Sequence, residues 1–261
     1  MVHASVPDWS RLSEDLSRDG HVVVKNLISS TQCDALAALY TEDGPAGAGG
    51  TGPVGAGPRS AGPGDATGPG DATRFRSRVV MARHGFGRGE YKYFAYPLPE
   101  AVARLRTMVY PTLALIANRW NEQLGLPTRF PDSHQEFLER CHAAGQTRPT
   151  PLLLRYTAGD YNCLHQDLYG ETVFPLQLTV LLSEPGRDFT GGEFVLTEQR
   201  PRMQSRAHVV PLSKSDAVLF AVHHRPVKGT RGTYRVMLRH GVSELRSGHR
   251  HTLGIIFHDA K

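Results

Sequence analysis

His165-Gln166-Asp167 is the first place where residue types and spacing could do chemistry. In an extended strand, residues i and i+2 project to the same side, so His165 and Asp167 can grasp one ion while Gln166 faces away. Two imidazoles and one carboxylate on one face of an octahedral iron leave three positions for a co-substrate and oxygen. A lone HxD is also what a surface turn offers, so its surroundings must decide. The candidates for a second imidazole are His208, His223, His224, His240, His249, His251 and His258. His240 ends a strand-like stretch from Tyr234 to Arg239. His223 and His224 precede a proline and several basic residues, the pattern of a solvated loop. His249 and His251 alternate with Arg250 and belong on the opposite strand face from it. His258 follows the last strand, where a solvated end is expected. Cys163 reads as a small buried thiol on the same strand face as His165. It lies far from Cys33 and Cys141, which argues against a CxxC zinc site and a disulfide framework.

The surroundings are informative. Upstream of the HxD stands LLRYTAG (residues 153–159), and HQDLYGE follows from His165. DFTGGEF begins at Asp188, EQRPRMQSR at Glu198 and RHGVS at Arg239. Asp216 precedes an apolar run ending at Phe220. These segments resemble the Fe(II)/2-oxoglutarate-dependent oxygenase superfamily, with an AlkB-like metal strand and a GGE turn similar to that of the prolyl-hydroxylase-like branch. The resemblance implies Fe(II) held by His165, Asp167 and His240, with 2-oxoglutarate and O2 as co-substrates. It assigns the far carboxylate of 2-oxoglutarate to Arg250, ten residues beyond His240. A planar guanidinium suits that task, because it offers a carboxylate two parallel charge-assisted hydrogen bonds. Tyr156 resembles a tyrosine that helps hold the co-substrate, and Thr252, on the strand face of Arg250, can add a hydroxyl.

The chemistry implied is oxidation of a C–H bond as 2-oxoglutarate becomes succinate and CO2. On an N-methyl group the hydroxylated carbon leaves as formaldehyde. Residues Arg155 to Asp259 as a whole resemble a bacterial group proposed to demethylate damaged DNA oxidatively. The short spacing from His240 to Arg250 instead resembles prolyl hydroxylases, so a protein or small-molecule hydroxylase stands as the alternative. A binding or sensor protein on a degenerate oxygenase fold is a third reading, and the intact metal and co-substrate residues count against it.

The elements that must position these residues point to an α+β chain with a double-stranded β-helix (jelly roll) core and N-terminal helices packed on it. Residues 1–43 read as helical and strand elements, with Trp9, Leu12 and Leu16 at helical spacing, His21 to Val24 extended, and Ser29 or Ser30 capping a second helix. Residues 44–72 are a Gly/Pro/Ala-rich insertion that cannot bury enough surface to order itself. Residues 73–150 hold a basic-aromatic segment and then helices over Glu100 to Leu124 and Ser133 to Ala143, with Pro111 expected to kink or break the first. Residues 151–261 form the catalytic core, with strands near Leu152–Tyr156, Leu176–Leu182, Glu193–Leu196, Ala217–Ala221, Tyr234–His240 and His251–Phe257.

A formal charge of +5 and a pI near 9.2 suit a polyanionic partner. Alkylated DNA or RNA is the partner expected. Arg76, Arg78, Arg83, Tyr91, Lys92 and Tyr93 mix cations with rings, as needed to track phosphates and stack a base. Arg202 and Arg206 form a second basic cluster. The plainer readings are a solvated strand face and an exposed hairpin. No apolar run is long enough to span a bilayer, and the first residues lack the apolar core of a signal peptide, so cytoplasmic residence is expected. No obligate protein partner is evident.

Overall fold

Strands of alternating or continuous apolar character dominate after Pro151, and in the computed structural model they fold into two facing sheets. The structure describes residues 8–40 and 74–261, so the Gly/Pro/Ala-rich insertion falls outside the described residues. In chain order the elements are α1 (Trp9–Asp19), β1 (His21–Val24), α2 (Ser30–Ala38), β2 (Phe75–Val80), β3 (Gly87–Arg88), β4 (Glu90–Phe94), α3 (Glu100–Gln123) and α4 (His134–Ala143). There follow β5 (Leu152–Thr157), β6 (Tyr161–His165), β7 (Leu176–Leu181), β8 (Phe189–Gly191), β9 (Phe194–Gln199), β10 (Arg206–Val210), β11 (Ala217–Ala221), β12 (His224–Gly229), β13 (Gly232–Val242) and β14 (Leu245–Ile256).

The larger sheet runs β1-β11-β7-β14-β5-β4-β2, with β8 on β14, and the smaller runs β10-β9-β13-β6-β3, with β12 on β13. From β5 onward the chain passes repeatedly from one sheet to the other, which is the double-stranded β-helix expected. The larger sheet is covered on both faces. Its outer face shares one apolar cluster with the helices: Leu178, Val180, Leu219, Leu253 and Ile255 with Val102, Leu105, Val109, Leu113 and Trp120. Every residue of β7 is therefore buried, and its run LQLTVL shows little alternation. The inner face looks into the space between the sheets, where the chemistry lies.

Ser29 caps α2 in a full capping box with Gln32. α3 continues through Pro111 without the break that a proline can impose. Pro111 and Thr107 both lie on the exposed side, where water can satisfy the carbonyl that the missing N–H leaves free. Arg106, buried on the other side, donates to the Ile256 carbonyl at 3.0 Å and to Asp259 Oδ1 at 2.7 Å, locking α3 to the end of β14. Asp216 is a turn residue, accepting from Lys25 Nζ and the Ser213 amide just before β11.

Three histidines differ from expectation. His258 is fully buried, and its Nδ1 accepts from the Phe174 amide at 3.2 Å. Burial pushes its pKa down to about 4. The chain after β14 folds back under α3 and α4, so there is no solvated end at this position. His223 and His224 are half-buried at the start of β12, with ring centroids 3.5 Å apart.

Candidate metal and co-substrate site

β6 and β13 pair antiparallel with His165 directly opposite His240. Side chains opposite each other in such a pair share a face, so both imidazoles enter the space between the sheets. Past that pair the ladder slips, with two steps on β13 (His240 to Val242) against three on β6 (His165 to Asn162). This β-bulge turns the end of β6 toward the interior. It requires Gly241, because a Cβ there would sit 2.6 Å from the Asn162 carbonyl oxygen. Gly241→Ala is accordingly expected to force β6 off β13. The predicted cost is on the order of 2 kcal/mol and a melting temperature lower by about 5 °C. Calorimetry together with metal titration checks it, and an unchanged melting temperature would show that the bulge absorbs a methyl.

The bulge also fixes a tautomer. His165 Nδ1 lies 2.8 Å from the Cys163 carbonyl, which can only accept, so Nδ1 carries the hydrogen and Nε2 keeps its lone pair. That Nε2 is 3.5 Å from Asp167 Oδ1, and His240 Nε2 is 3.4 Å from Asp167 Oδ2. The three candidate donor atoms lie within 4.8 Å of one another. Burial alone would raise the Asp167 carboxyl, but His165 and His240 beside it hold it well below the usual carboxylate range. Burial, and then the neighbouring His165, lower His240. The set therefore offers two imidazole nitrogens and one carboxylate to a divalent ion, and it fits iron.

Asp167 reaches this position differently from the sequence reading. β6 ends at His165, and Asp167 follows in irregular chain rather than on the strand face. Gln166 Nε2 donates to the Leu238 carbonyl at 2.7 Å and pins that chain to β13. Tyr169 Oη then donates to Asp167 Oδ1 at 2.8 Å. Sequence reasoning quoted Tyr169 only as part of a motif; its i+2 offset from Asp167 was the available signal. Cys163 is exposed, not buried as expected.

Arg250 lies on β14 opposite Tyr156 of β5 and is 1% exposed. Its Nε and Nη1 have no hydrogen-bond partner, and it forms no ion pair among the described residues. Burial pulls its pKa down to about 10. A buried guanidinium left unpaired costs several kcal/mol, roughly, so this arrangement calls for an anion. The far carboxylate of 2-oxoglutarate fits it. Gly192, the second glycine of the GGE turn, leaves the room, because a Cβ there would collide with Leu245 and come within 3.1 Å of Arg250 Cδ. Arg250, Thr252, Tyr156 and the triad line one cavity of about 860 Å³, which also takes in Tyr91, Tyr93, Gln177 and Thr179.

The basic-aromatic segment is divided between surface and interior: Arg78 and Arg83 are exposed, Arg76 and Tyr91 half-buried, and Lys92 and Tyr93 buried, so Lys92 and Tyr93 do not lie on the solvated surface. Lys92 is buried and its amine donates to the Tyr40 carbonyl at 3.0 Å. Tyr93 is 1% exposed, with the Arg76 guanidinium 4.4 Å over its ring. Arg76 also donates to the Pro149 carbonyl at 2.8 Å. Arg78 pairs with Glu90. Tyr91 is half-buried in the cavity wall. The reason is register: β2 and β4 extend the larger sheet, so Ser77, Val79, Tyr91 and Tyr93 turn to its inner face. Arg83 stays exposed, as do Arg202 and Arg206 near the β9–β10 hairpin.

A family model described as "Oxygenase, catalysing oxidative methylation of damaged DNA" matches residues 89–260. Two uncharacterized proteins of Mycobacterium tuberculosis, from strains CDC 1551 / Oshkosh and H37Rv, are each 50% identical over 167 residues, 64% of this chain and 72% of theirs. Among solved structures, a Pseudomonas putida prolyl-4-hydroxylase aligns with TM-score 0.47 and 12% identity, covering 94% of this chain and 96% of its own. A Burkholderia pseudomallei oxidoreductase of the 2OG-Fe(II) oxygenase family aligns with TM-score 0.49 and 13% identity, covering 98% and 94%. The family match spans most of the chain and takes in every candidate metal and co-substrate residue, so the chain belongs to this family of oxygenases.

Proposed function

We propose that the chain oxidatively dealkylates damaged nucleic acid, with Fe(II) on His165, Asp167 and His240, and 2-oxoglutarate held by Arg250, Tyr156 and Thr252. When bound, the iron and co-substrate supply oxidation of a substrate C–H bond at the expense of O2. The chain's own residues do the rest. Arg250 fixes the far carboxylate, and Leu152, Leu154 and Phe194 keep the cavity wall apolar. Hydroxylation of an N-methyl carbon gives N–CH2–OH. The C–N bond then breaks, the hydroxyl proton passes to nitrogen, and formaldehyde leaves. An oxygenase thus removes a methyl carbon from nitrogen rather than adding one.

The observation that carries the nucleic-acid reading is the cavity mouth. His84 and Phe86 stack there with centroids 5.3 Å apart and planes 23° apart. Arg83 and Arg88 flank them, exposed and without an ion pair among the described residues. A flat ring platform beside free cations suits a base with its phosphates. Arg202 and Arg206 are a further candidate contact with the backbone. Methylated single- and double-stranded DNA and RNA, incubated with Fe(II) and 2-oxoglutarate, are expected to release formaldehyde and lose 14 mass units (about one CH2) per event. Binding is expected to weaken as salt rises. Succinate formation driven by proline-containing peptides, with no formaldehyde from any oligonucleotide, would replace this reading with the hydroxylase one.

A further inference from the structure

Asp167 has two carboxylate oxygens, and each faces one imidazole of the triad. Among the described residues, only Oδ1 also accepts a hydrogen bond from outside the triad, from Tyr169 Oη at 2.8 Å. Tyr169 Oη in turn accepts from Tyr93 Oη at 3.1 Å. A carboxylate can only accept, so the hydrogens of this chain all point toward Asp167, and each bond polarises the next.

The backbone of Tyr169 is held just as closely. Gln146 is fully buried, and the two hydrogens of its Nε2 are shared among the carbonyls of Asp259 at 2.6 Å, Thr172 at 3.1 Å and Tyr169 at 3.2 Å. Its Oε1 accepts from the amides of Glu171 at 3.1 Å and Thr172 at 2.8 Å. One side chain therefore clamps the turn that follows the metal aspartate. Gly170 completes it, with φ +87° and a would-be Cβ 2.5 Å from Gln146 Cδ. These contacts engage Tyr169, Gly170 and the Glu171 amide of HQDLYGE in holding the turn after Asp167.

We propose that Tyr169 is a positioning residue that keeps Asp167 a one-oxygen ligand, with Tyr93 and Gln146 holding Tyr169 in place. The phenol's hydrogen bond takes up electron density and one lone pair of Oδ1, which makes Oδ2 the better donor to the metal. Without the phenol both oxygens can turn to the ion, and the second would fill a position that 2-oxoglutarate or O2 needs.

The test uses the full chain and Co(II) as probe, because the visible absorption of that ion changes with its coordination number. Tyr169→Phe removes one oxygen and keeps the ring. It is expected to weaken Co(II) binding ten-fold or more and to change the shape of the visible band in the presence of 2-oxoglutarate, with the circular dichroism unchanged. Tyr93→Phe, one link further out, is expected to act in the same direction and less. Wild-type affinity and a superimposable Co(II) spectrum for Tyr169→Phe would overturn the proposal. Should that variant not fold, the same two readings on Tyr93→Phe decide. The inference rests on the triad being a metal centre, and the two fail separately, since a wild-type chain that binds no Co(II) removes the centre itself.

Discussion

Exchanging Arg250 for methionine is expected to raise the KM for 2-oxoglutarate about 100-fold or more, while the melting temperature without co-substrate stays level or rises. Both signs come from one observation. The guanidinium is 1% exposed, with Nε and Nη1 unsatisfied, and faces a cavity rather than an acidic side chain. With a carboxylate present, removing one member of a buried charge pair costs about 3–5 kcal/mol, more than two decades in affinity. With none present, the same substitution removes a buried unpaired charge and leaves an unbranched apolar chain of similar length. Arg250→Lys is expected to fall between, because an ammonium keeps the charge but loses the two-pronged geometry. Succinate formation at varied 2-oxoglutarate, paired with thermal melts with and without it, reads both parts. An unchanged KM together with a lowered melting temperature would make Arg250 a structural residue only.

Removing His240 is the second large effect. His240→Ala is expected to lose bound metal on dialysis and to keep less than about one thousandth of wild-type turnover, roughly 4 kcal/mol in barrier. His240 is buried against Phe220, with ring centroids 4.6 Å apart, so alanine also leaves a cavity. His240→Gln keeps most of the volume without the imidazole and separates the two effects. His249→Ala provides the comparison, because that ring is exposed on the other face of β14 and is expected to retain metal and turnover. Metal content by elemental analysis discriminates, and full metal retention by both His240 variants would move the third ligand elsewhere.

The helices and most strands followed from local patterning. The spacing of Trp9, Leu12 and Leu16, the Ser29 cap and the run Ala217 to Ala221 each specify an element through neighbours a few residues away. Pro111 does not end α3, because the Thr107 and Pro111 positions are exposed and water can satisfy the freed carbonyl, and exposure is a tertiary property. The same limit applied to Arg76, Lys92 and Tyr93. Cations interleaved with rings read alike on a solvated strand and on one facing a cavity, and only the pairing of β2 with β4 and of β4 with β5 assigns the faces.

The sequence by itself determined which chemistry the chain can carry, because donor identities are fixed residue by residue. HxD supplies an imidazole and a carboxylate two residues apart, and Arg250 supplies a planar cation ten residues after a histidine. The resemblance pointed to His240 among several histidines, and the tertiary structure supplies the physical reason. Opposition across an antiparallel pair, not distance along the chain, brings His240 to His165. Only the tertiary structure decided how Asp167 is oriented. Its partner Tyr169 and the clamp at Gln146 come from segments more than twenty residues apart in sequence, and they meet only because the turn after β6 folds back under the last residues of the chain.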